Sequence, residues 1–156
     1  MKELFINRAR TCAFTGHRII EKDFDQNKLK NVLNSLVGLG CDTFLVGMAL
    51  GFDTLCFRFL EQIREKTKIK IIACVPCEDQ PLKFSEKQKI EYERMLLSAD
   101  EIVYLGQKYD EQCMMRRNKY MVDNASILVS YLRYDKSGTK KTVEYAKKQK
   151  IEIIEL

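Results

Sequence analysis

The most informative part of this 156-residue chain is Thr43-Phe44-Leu45-Val46-Gly47-Met48-Ala49-Leu50-Gly51-Phe52-Asp53-Thr54-Leu55-Cys56. Its first four residues predict a short buried strand, and the glycines that follow predict a tight loop. From Phe52 onward, apolar residues recur at i, i+3, i+4, i+7 and i+8, the pattern of a helix packed on a sheet. Strand, loop and helix in this order form the repeating unit of a parallel α/β fold.

The same unit recurs along the chain. Apolar, β-rich runs occupy residues 11–15, 43–46, 69–75, 101–105, 127–132 and 151–154. Their spacing leaves room for a crossover helix between successive strands, and helices are predicted over residues 27–37 and from a capping-box sequence at Ser85 to about Ser98. We therefore predict an α/β fold, a single domain over residues 1–156 with a mainly parallel sheet of about six strands and helices on both faces.

Composition narrows the class of protein. Lys and Arg (27) exceed Asp and Glu (22) by five charges, but they are spread along the chain and indicate anionic partners only weakly. The six cysteines lie mostly in apolar runs, which favours free thiols in a reducing compartment. No apolar stretch is long enough to span a membrane, and the first eight residues lack the apolar core of a signal peptide. We expect a cytoplasmic protein without a membrane partner.

The residues that follow the first two predicted strands are candidates for ligand binding, because ligands bind at the carboxyl ends of strands in open parallel sheets. These candidates are Thr15, Gly16, His17, Arg18, Gly47, Met48, Gly51 and Asp53. Glycine lets the backbone approach a ligand, and Arg18 offers a fork of donors to phosphate or carboxylate. Asp53 is expected to cap or complement the start of its helix, which would not exclude contact of the same carboxylate with a ribose hydroxyl.

Two polar residues interrupt a predicted apolar helix face. Met114, Met121 and Val122 define that face, and Arg117 and Asn118 occupy positions where it should continue. Polar groups that face a sheet cost free energy unless they are paired. Arg117 and Asn118 therefore either face a ligand or are satisfied internally, for example by Asp53.

The turn before the last predicted helix carries Ser137, Gly138 and Thr139. Hydroxyl groups and free helix N–H groups suit a phosphate, although a helix cap alone would use the same residues. His17 is the only histidine, and we expect it to contact backbone or ligand rather than act as a base. Cys74 and Cys77 lack a second pair with which to complete a zinc site, so we predict neither a metal nor a cofactor.

At these turns the chain resembles the SLOG superfamily, the Rossmann-like group that includes the LOG phosphoribohydrolases and DNA-processing protein A, and especially its YpsA-like branch. The resemblance implies a nucleotide or nucleotide-derived ligand of phosphoribosyl or ADP-ribose type. It also implies a phosphate near Gly138 and Thr139, with ribose or base near the loop over residues 47–53. Arg117 matches the arginine of the LOG motif R-K-x-x-M, but Thr142 stands where LOG enzymes carry their catalytic glutamate.

We therefore predict a nucleotide-ligand binding protein with a regulatory or sensory role. The alternative is a nucleoside monophosphate phosphoribohydrolase, an N-glycosidase whose candidate catalytic residues are Arg117, Asp53 and Glu144. A third option is single-stranded nucleic-acid binding, with stacking supplied by Tyr104, Tyr109, Tyr131 and Tyr134. Nucleic acid is not the partner we expect. A homodimer, as in LOG relatives, is left open, and the loop over residues 106–113 is predicted to close over the ligand.

Overall fold

The protein is described by a computed structural model over residues 4–156, so the interpretation of the first eight residues falls partly outside the described residues. Within residues 4–156, six strands alternate with five α-helices. They are β1 (Thr11–Gly16), α1 (Gln26–Gly38), β2 (Thr43–Val46), α2 (Phe52–Arg64), β3 (Lys70–Val75), α3 (Glu86–Ser98), β4 (Glu101–Tyr104), α4 (Cys113–Asp123), β5 (Ile127–Tyr131), α5 (Gly138–Lys148) and β6 (Glu152–Glu155).

The strands form one parallel sheet in the order β4-β3-β2-β1-β5-β6. Alternate strand residues face opposite sides, so Phe14 and Phe44 pack with α1, α2 and α3 while Ala13 and Leu45 pack with α4 and α5. This arrangement confirms the predicted Rossmann-like α/β fold. The crossovers change direction between β1 and β5, which makes the carboxyl ends of these two strands the switch point of the sheet.

Local sequence signals account for the helix ends. At Ser85, the predicted capping box is present: the Gln88 N–H donates to Ser85 Oγ, and the Ser85 N–H donates to Gln88 Oε1. Helix α1 ends before Gly40, whose φ of +106° lies in the left-handed region that favours glycine. Strand β6 begins one residue later than predicted, after Lys150, which has a φ of +59°. In residues 4–156, no helix combines the length and apolarity that crossing a membrane requires.

The loops that follow β1 and β2 are packed against each other. The Phe52 N–H at the start of α2 donates to the His17 carbonyl at 3.1 Å. Gly51 has a φ of +82°, and any side chain there would collide with the backbone of Arg18. A side chain at Gly16 would collide with the Phe52 ring. Both glycines are therefore required to bring the two loops together at the switch point.

Candidate functional site

A cavity of about 450 Å³, here called the polar cavity, lies at the switch point. Its walls come from the loop after β1, the start of α2, the first half of α4 and the start of α5. The predicted site residues that line it are Thr15, Gly16, His17, Arg18, Asp53, Arg117, Asn118, Ser137, Gly138 and Thr139. Four separate segments that were picked by sequence pattern are thus brought together around one space.

Arg117 and Asn118 face inward, as the interrupted helix face indicated. They are 5% and 8% exposed, respectively, and Arg117 Nε donates to Asn118 Oδ1 at 2.7 Å. Arg117 also donates to the Gly47 carbonyl and to the Met114 sulfur. None of these three bonds goes to Asp53, so the internal pairing that we considered for Arg117 is made with backbone and neighbouring side chains instead.

Asp53 is buried beside Arg117 with an incomplete set of hydrogen bonds. Its Oδ2 accepts the Ala49 N–H at 3.1 Å, whereas its Oδ1 is buried and has no partner among the described residues. The carboxylate therefore binds the preceding loop and does not cap α2, whose N-cap is Gly51. Burial raises the pKa of Asp53 to about 6, although the Arg117 guanidinium and the Ala49 N–H oppose the shift.

The proximity of Asp53 and Arg117 depends on Gly47. A Cβ at Gly47 would lie 2.8 Å from Arg117 Nη1 and 3.0 Å from Asp53 Oδ2. Both charged groups therefore press against the same face of this residue, where only glycine leaves them room. Gly47 thus lies behind Arg117 and Asp53 and does not line the cavity.

His17 forms one aromatic wall of the polar cavity. Its Nε2 accepts the Arg133 N–H at 2.9 Å, which leaves the ring proton on Nδ1, and its ring stacks on Tyr134 with centroids 3.9 Å apart. Burial lowers the pKa of His17, with a further contribution from Arg133, so the ring is neutral at pH 7. Of the two contacts that we expected for this histidine, to backbone or to ligand, the structure shows the one to backbone.

The start of α5 forms another wall. Ser137 is the N-cap, and its Oγ accepts the Lys140 N–H at 3.1 Å. The N–H groups of Gly138 and Thr139 lie in the first helical turn, where no intrahelical acceptor exists, and they suit an anion. A helix cap and a phosphate site are thus compatible here. The Ser137 side chain caps the helix, and the N–H groups of Gly138 and Thr139 are still available to a phosphate.

Four predicted site residues, among them the catalytic candidate Glu144, lie outside the polar cavity, behind it or to one side. Gly47 supports Arg117, while Met48 and Gly51 line a neighbouring groove. Glu144 is exposed on α5 and does not line the cavity, and Thr142 is fully buried with its Oγ1 donating to the Gly138 carbonyl at 2.8 Å. Asp53 is therefore the one carboxylate that lines the polar cavity within residues 4–156.

Other residues at the cavity were not anticipated as site residues. Ala49 and Met114 line it, and Lys136 is exposed at its rim. Tyr134, which was considered only for stacking on nucleic acid, also lines it. Tyr131 is fully buried and its hydroxyl accepts the Glu21 N–H, so it cannot stack on a base. Lys136 could have been predicted as a site residue, because it lies in the turn that leads to Ser137.

The loop over residues 106–113 does not line the polar cavity. It is tied to the segment after β3, because the Glu78 N–H donates to the Gln107 carbonyl and the Tyr109 N–H donates to Asp79 Oδ2. Cys77 and Cys113 meet here with their sulfurs 3.8 Å apart, and burial raises the pKa of the Cys77 thiol to about 12. Within residues 4–156, no cluster of side chains could hold a metal ion.

The doubly wound sheet with this cavity at its switch point places the chain among the Rossmann-like domains. The chain belongs to the YspA SLOG family (YpsA), whose family model matches residues 16–154. It is also similar to the SPbeta prophage-derived protein YoqJ of Bacillus subtilis (strain 168). The two are 34% identical over 118 residues, which cover 67% of this chain and 69% of YoqJ. The predicted SLOG and YpsA-like assignment is confirmed.

Two solved structures share the fold. DNA processing protein A from Streptococcus pneumoniae superposes with a TM-score of 0.70 at 15% identity, covering 94% of this chain and 50% of that protein. DNA processing protein A from Helicobacter pylori superposes with a TM-score of 0.68 at 17% identity, covering 93% of this chain and 64% of that protein. The chain thus spans less than two thirds of either protein.

The H. pylori structure was described for its single-stranded DNA binding mode. This finding contradicts our expectation that nucleic acid, which we kept only as a third option, is not the partner of this chain. The expectation was wrong because it gave little weight to basic residues that are spread along the sequence. Folding gathers Arg18 and Lys136 around one cavity, next to the exposed ring of Tyr134.

Proposed function

We propose that the polar cavity binds a nucleotide or a nucleotide-derived ligand of the phosphoribosyl or ADP-ribose type, in a regulatory or sensory protein of the cytoplasm. One observation carries the proposal: a buried Asp53 with an unpartnered oxygen lies in the same 450 Å³ cavity as the start of α5. A ribose needs an acceptor for its hydroxyl groups, and a phosphate needs N–H donors. Asp53 supplies the acceptor, and the start of α5 supplies the N–H donors.

The three parts of a nucleotide are matched by different residues. A phosphate would accept hydrogen bonds from the N–H groups of Gly138 and Thr139, with Lys136 as counter-ion. A small shift of the Asp53 carboxylate would present its free oxygen to a ribose hydroxyl. The exposed Tyr134 ring, held flat by His17, would stack on a base.

Binding is tested by calorimetry and thermal unfolding with AMP, ADP-ribose and inorganic phosphate. A ligand at 100 times its Kd adds about 2.7 kcal/mol to the free energy of unfolding. Tyr134→Ala should weaken AMP binding about ten-fold or more through loss of stacking. Tyr109→Ala is the matched control, since this tyrosine is 62% exposed against 55% for Tyr134 and lies outside the cavity. Folded protein that none of these compounds stabilises would refute the proposal.

Single-stranded DNA binding is the second candidate function. It is favoured by an exposed aromatic ring flanked by cations at the cavity rim, and by a fold shared with a protein described as binding single-stranded DNA. Fluorescence anisotropy with labelled oligothymidylate tests it. Affinity that falls steeply as salt rises, and that drops in Lys136→Ala but not in Lys141→Ala, would favour this function. Lys141 is exposed on α5 outside the cavity.

N-glycosidase activity remains a proposal with Arg117 and Asp53 as its candidate residues. Thr142 cannot replace the LOG glutamate, because its hydroxyl is buried and bonded to the Gly138 carbonyl. Asp53 would have to offset the positive charge that develops on the ribosyl group. Chromatography of AMP incubated with the protein would detect free adenine, and release that persists in Asp53→Asn would exclude this role for Asp53.

A further inference from the structure

A second concavity of about 700 Å³ lies beside the polar cavity, and three of the predicted site residues, Arg18, Met48 and Gly51, line it. We call it the apolar groove. It runs between α2, α3 and the loop after β1, and its walls include Ile20, Leu50, Leu55, Phe84, Ile90 and Met95. Its volume falls in the range of about 300–1,000 Å³ that is typical of small-molecule sites.

The apolar groove and the polar cavity share a wall. Arg18 and Ile19 line both, and the two side chains form a ridge between them. Ile19 is 80% exposed on this ridge. The ridge is fixed from below, because the Arg18 backbone packs directly on Gly51. A ligand seated in the polar cavity can therefore continue over the ridge into the groove.

The rim of the groove is cationic. Arg18 and Lys87 supply the cations of this rim, while Arg58 lines it in an ion pair with Glu91. Its carboxylate, Glu91, accepts hydrogen bonds from Arg58 at 3.1 Å and from Arg94 at 2.9 Å, so its charge is already offset. Apolar walls under a positive rim match a ligand that combines apolar faces with negative charge.

One end of the groove has an aromatic corner. The rings of Phe84 and Tyr92 pack edge to face with centroids 5.7 Å apart. Tyr92 is 4% exposed and supports Phe84, whose half-buried ring is the surface on which a flat nucleobase would stack, whereas a phosphate gains nothing from such a ring. A second copy of this chain is the competing occupant, but two grooves that met across a two-fold axis would bring the cations Arg18 and Lys87 of both copies together.

We propose that the apolar groove is a second nucleotide subsite, so that the ligand consists of two nucleotide units joined through phosphate. One unit occupies the polar cavity, the base of the other lies in the groove, and Arg18 contacts the phosphate bridge between them. This proposal rests on the proposed function and specifies, in addition, that the ligand contains two nucleotide units.

The test measures Kd by calorimetry for 5′-phosphorylated thymidine mono-, di- and trinucleotides. The dinucleotide should bind about ten-fold or more tightly than the mononucleotide, because a second base is stacked and desolvated. The trinucleotide should bind about as tightly as the dinucleotide. P1,P2-diadenosine 5′-pyrophosphate, compared with AMP, shows whether a pyrophosphate bridge gives the same gain as a phosphodiester.

Ile90→Ser should remove the gain of the dinucleotide and leave mononucleotide binding unchanged. Leu97→Ser is the matched control, since both residues are exposed on α3 (68% and 89%) and only Ile90 lines the groove. Both substitutions are at the surface, so the fold should be retained.

The outcomes separate the two proposals. If the mononucleotide binds and neither two-unit ligand binds more tightly, the groove is not a subsite while the proposed function survives. If no nucleotide binds, the proposed function itself fails. If the trinucleotide binds more tightly than the dinucleotide, the ligand is an extended strand and not a two-unit molecule, and the proposal is wrong. A dimer that dissociates in Ile90→Ser, together with no gain for the dinucleotide, would assign the groove to a second copy.

Discussion

Two clusters of charged residues in this molecule are built in opposite ways. On the surface, Arg94 of α3 donates two parallel hydrogen bonds of 2.9 Å to Glu61 of α2, and it also bonds Glu91. At the switch point, Asp53 and Arg117 are buried against Gly47, and one carboxylate oxygen has no partner among the described residues. The surface cluster is complete, whereas the buried cluster is not.

The pKa values of the carboxylates in the two clusters move in opposite directions. Hydrogen bonds from Arg94 lower the pKa of Glu91 to about 2, while burial raises the pKa of Asp53 to about 6. A satisfied surface cluster joins two helices and adds little stability. A buried charge with unused bonding capacity is costly, and such groups concentrate at functional sites. The difference therefore locates the candidate site without reference to any relative.

The largest effect should come from removing the buried arginine. Arg117→Ala leaves Asp53 without its counter-charge, so the free energy of unfolding should fall by about 3–5 kcal/mol. Urea unfolding at pH 7 measures this loss. A double variant, Arg117→Met with Asp53→Asn, should recover part of the stability, because it removes both charges while keeping most of the volume. No recovery would mean that packing, and not charge, explains the loss.

A smaller effect should appear in the pH dependence of Asp53→Asn. The native pKa of Asp53 is raised to about 6 from 3.8, so its protonated form is favoured by folding. The protonated carboxyl therefore adds to the free energy of unfolding at pH values below the unfolded pKa, and this addition is lost as the pH rises through 6. Between pH 4 and 7, wild type should therefore lose about 2 kcal/mol relative to Asp53→Asn. If the free energies of unfolding of the two proteins change in parallel with pH, the pKa of Asp53 is not raised by folding.

Substitutions in the surface cluster should change the free energy of unfolding only slightly, and the pH dependence that Glu91 contributes should have the opposite sign to that of Asp53. Arg94→Ala should lower the free energy of unfolding by less than about 1 kcal/mol, and the loss should shrink further in 1 M salt. Because the pKa of Glu91 is lowered, the stability that it contributes is present above its unfolded pKa and is lost as the pH falls towards 2. Acid unfolding of Glu91→Gln and wild type measures this. A loss as large as that of Arg117→Ala would end the distinction between the clusters.

The smallest effect is expected at Glu144. This residue is exposed on α5 outside the polar cavity, so Glu144→Gln should leave both the Kd for AMP and the free energy of unfolding unchanged within error. The same measurements on Arg117→Ala provide the contrast. Weaker AMP binding in Glu144→Gln would show that the ligand extends along α5, beyond the cavity described above.

The sequence by itself determined the elements of the fold and the inward orientation of Arg117 and Asn118. Strand alternation, helix period and caps such as Ser85 are local properties, so they are legible without coordinates. The ten predicted site residues that line the polar cavity were found because ligand residues follow strand ends in any parallel sheet.

Only the tertiary structure decided what these residues do together. It placed Glu144 in solvent, gave Gly47 a supporting role and showed that Arg117 bonds the Gly47 carbonyl rather than Asp53. It also opened the apolar groove, whose walls come from segments that no sequence period relates to one another. The physical reason is that burial, desolvation and cavity shape depend on contacts between residues far apart in the chain, and local patterns carry no information about those contacts.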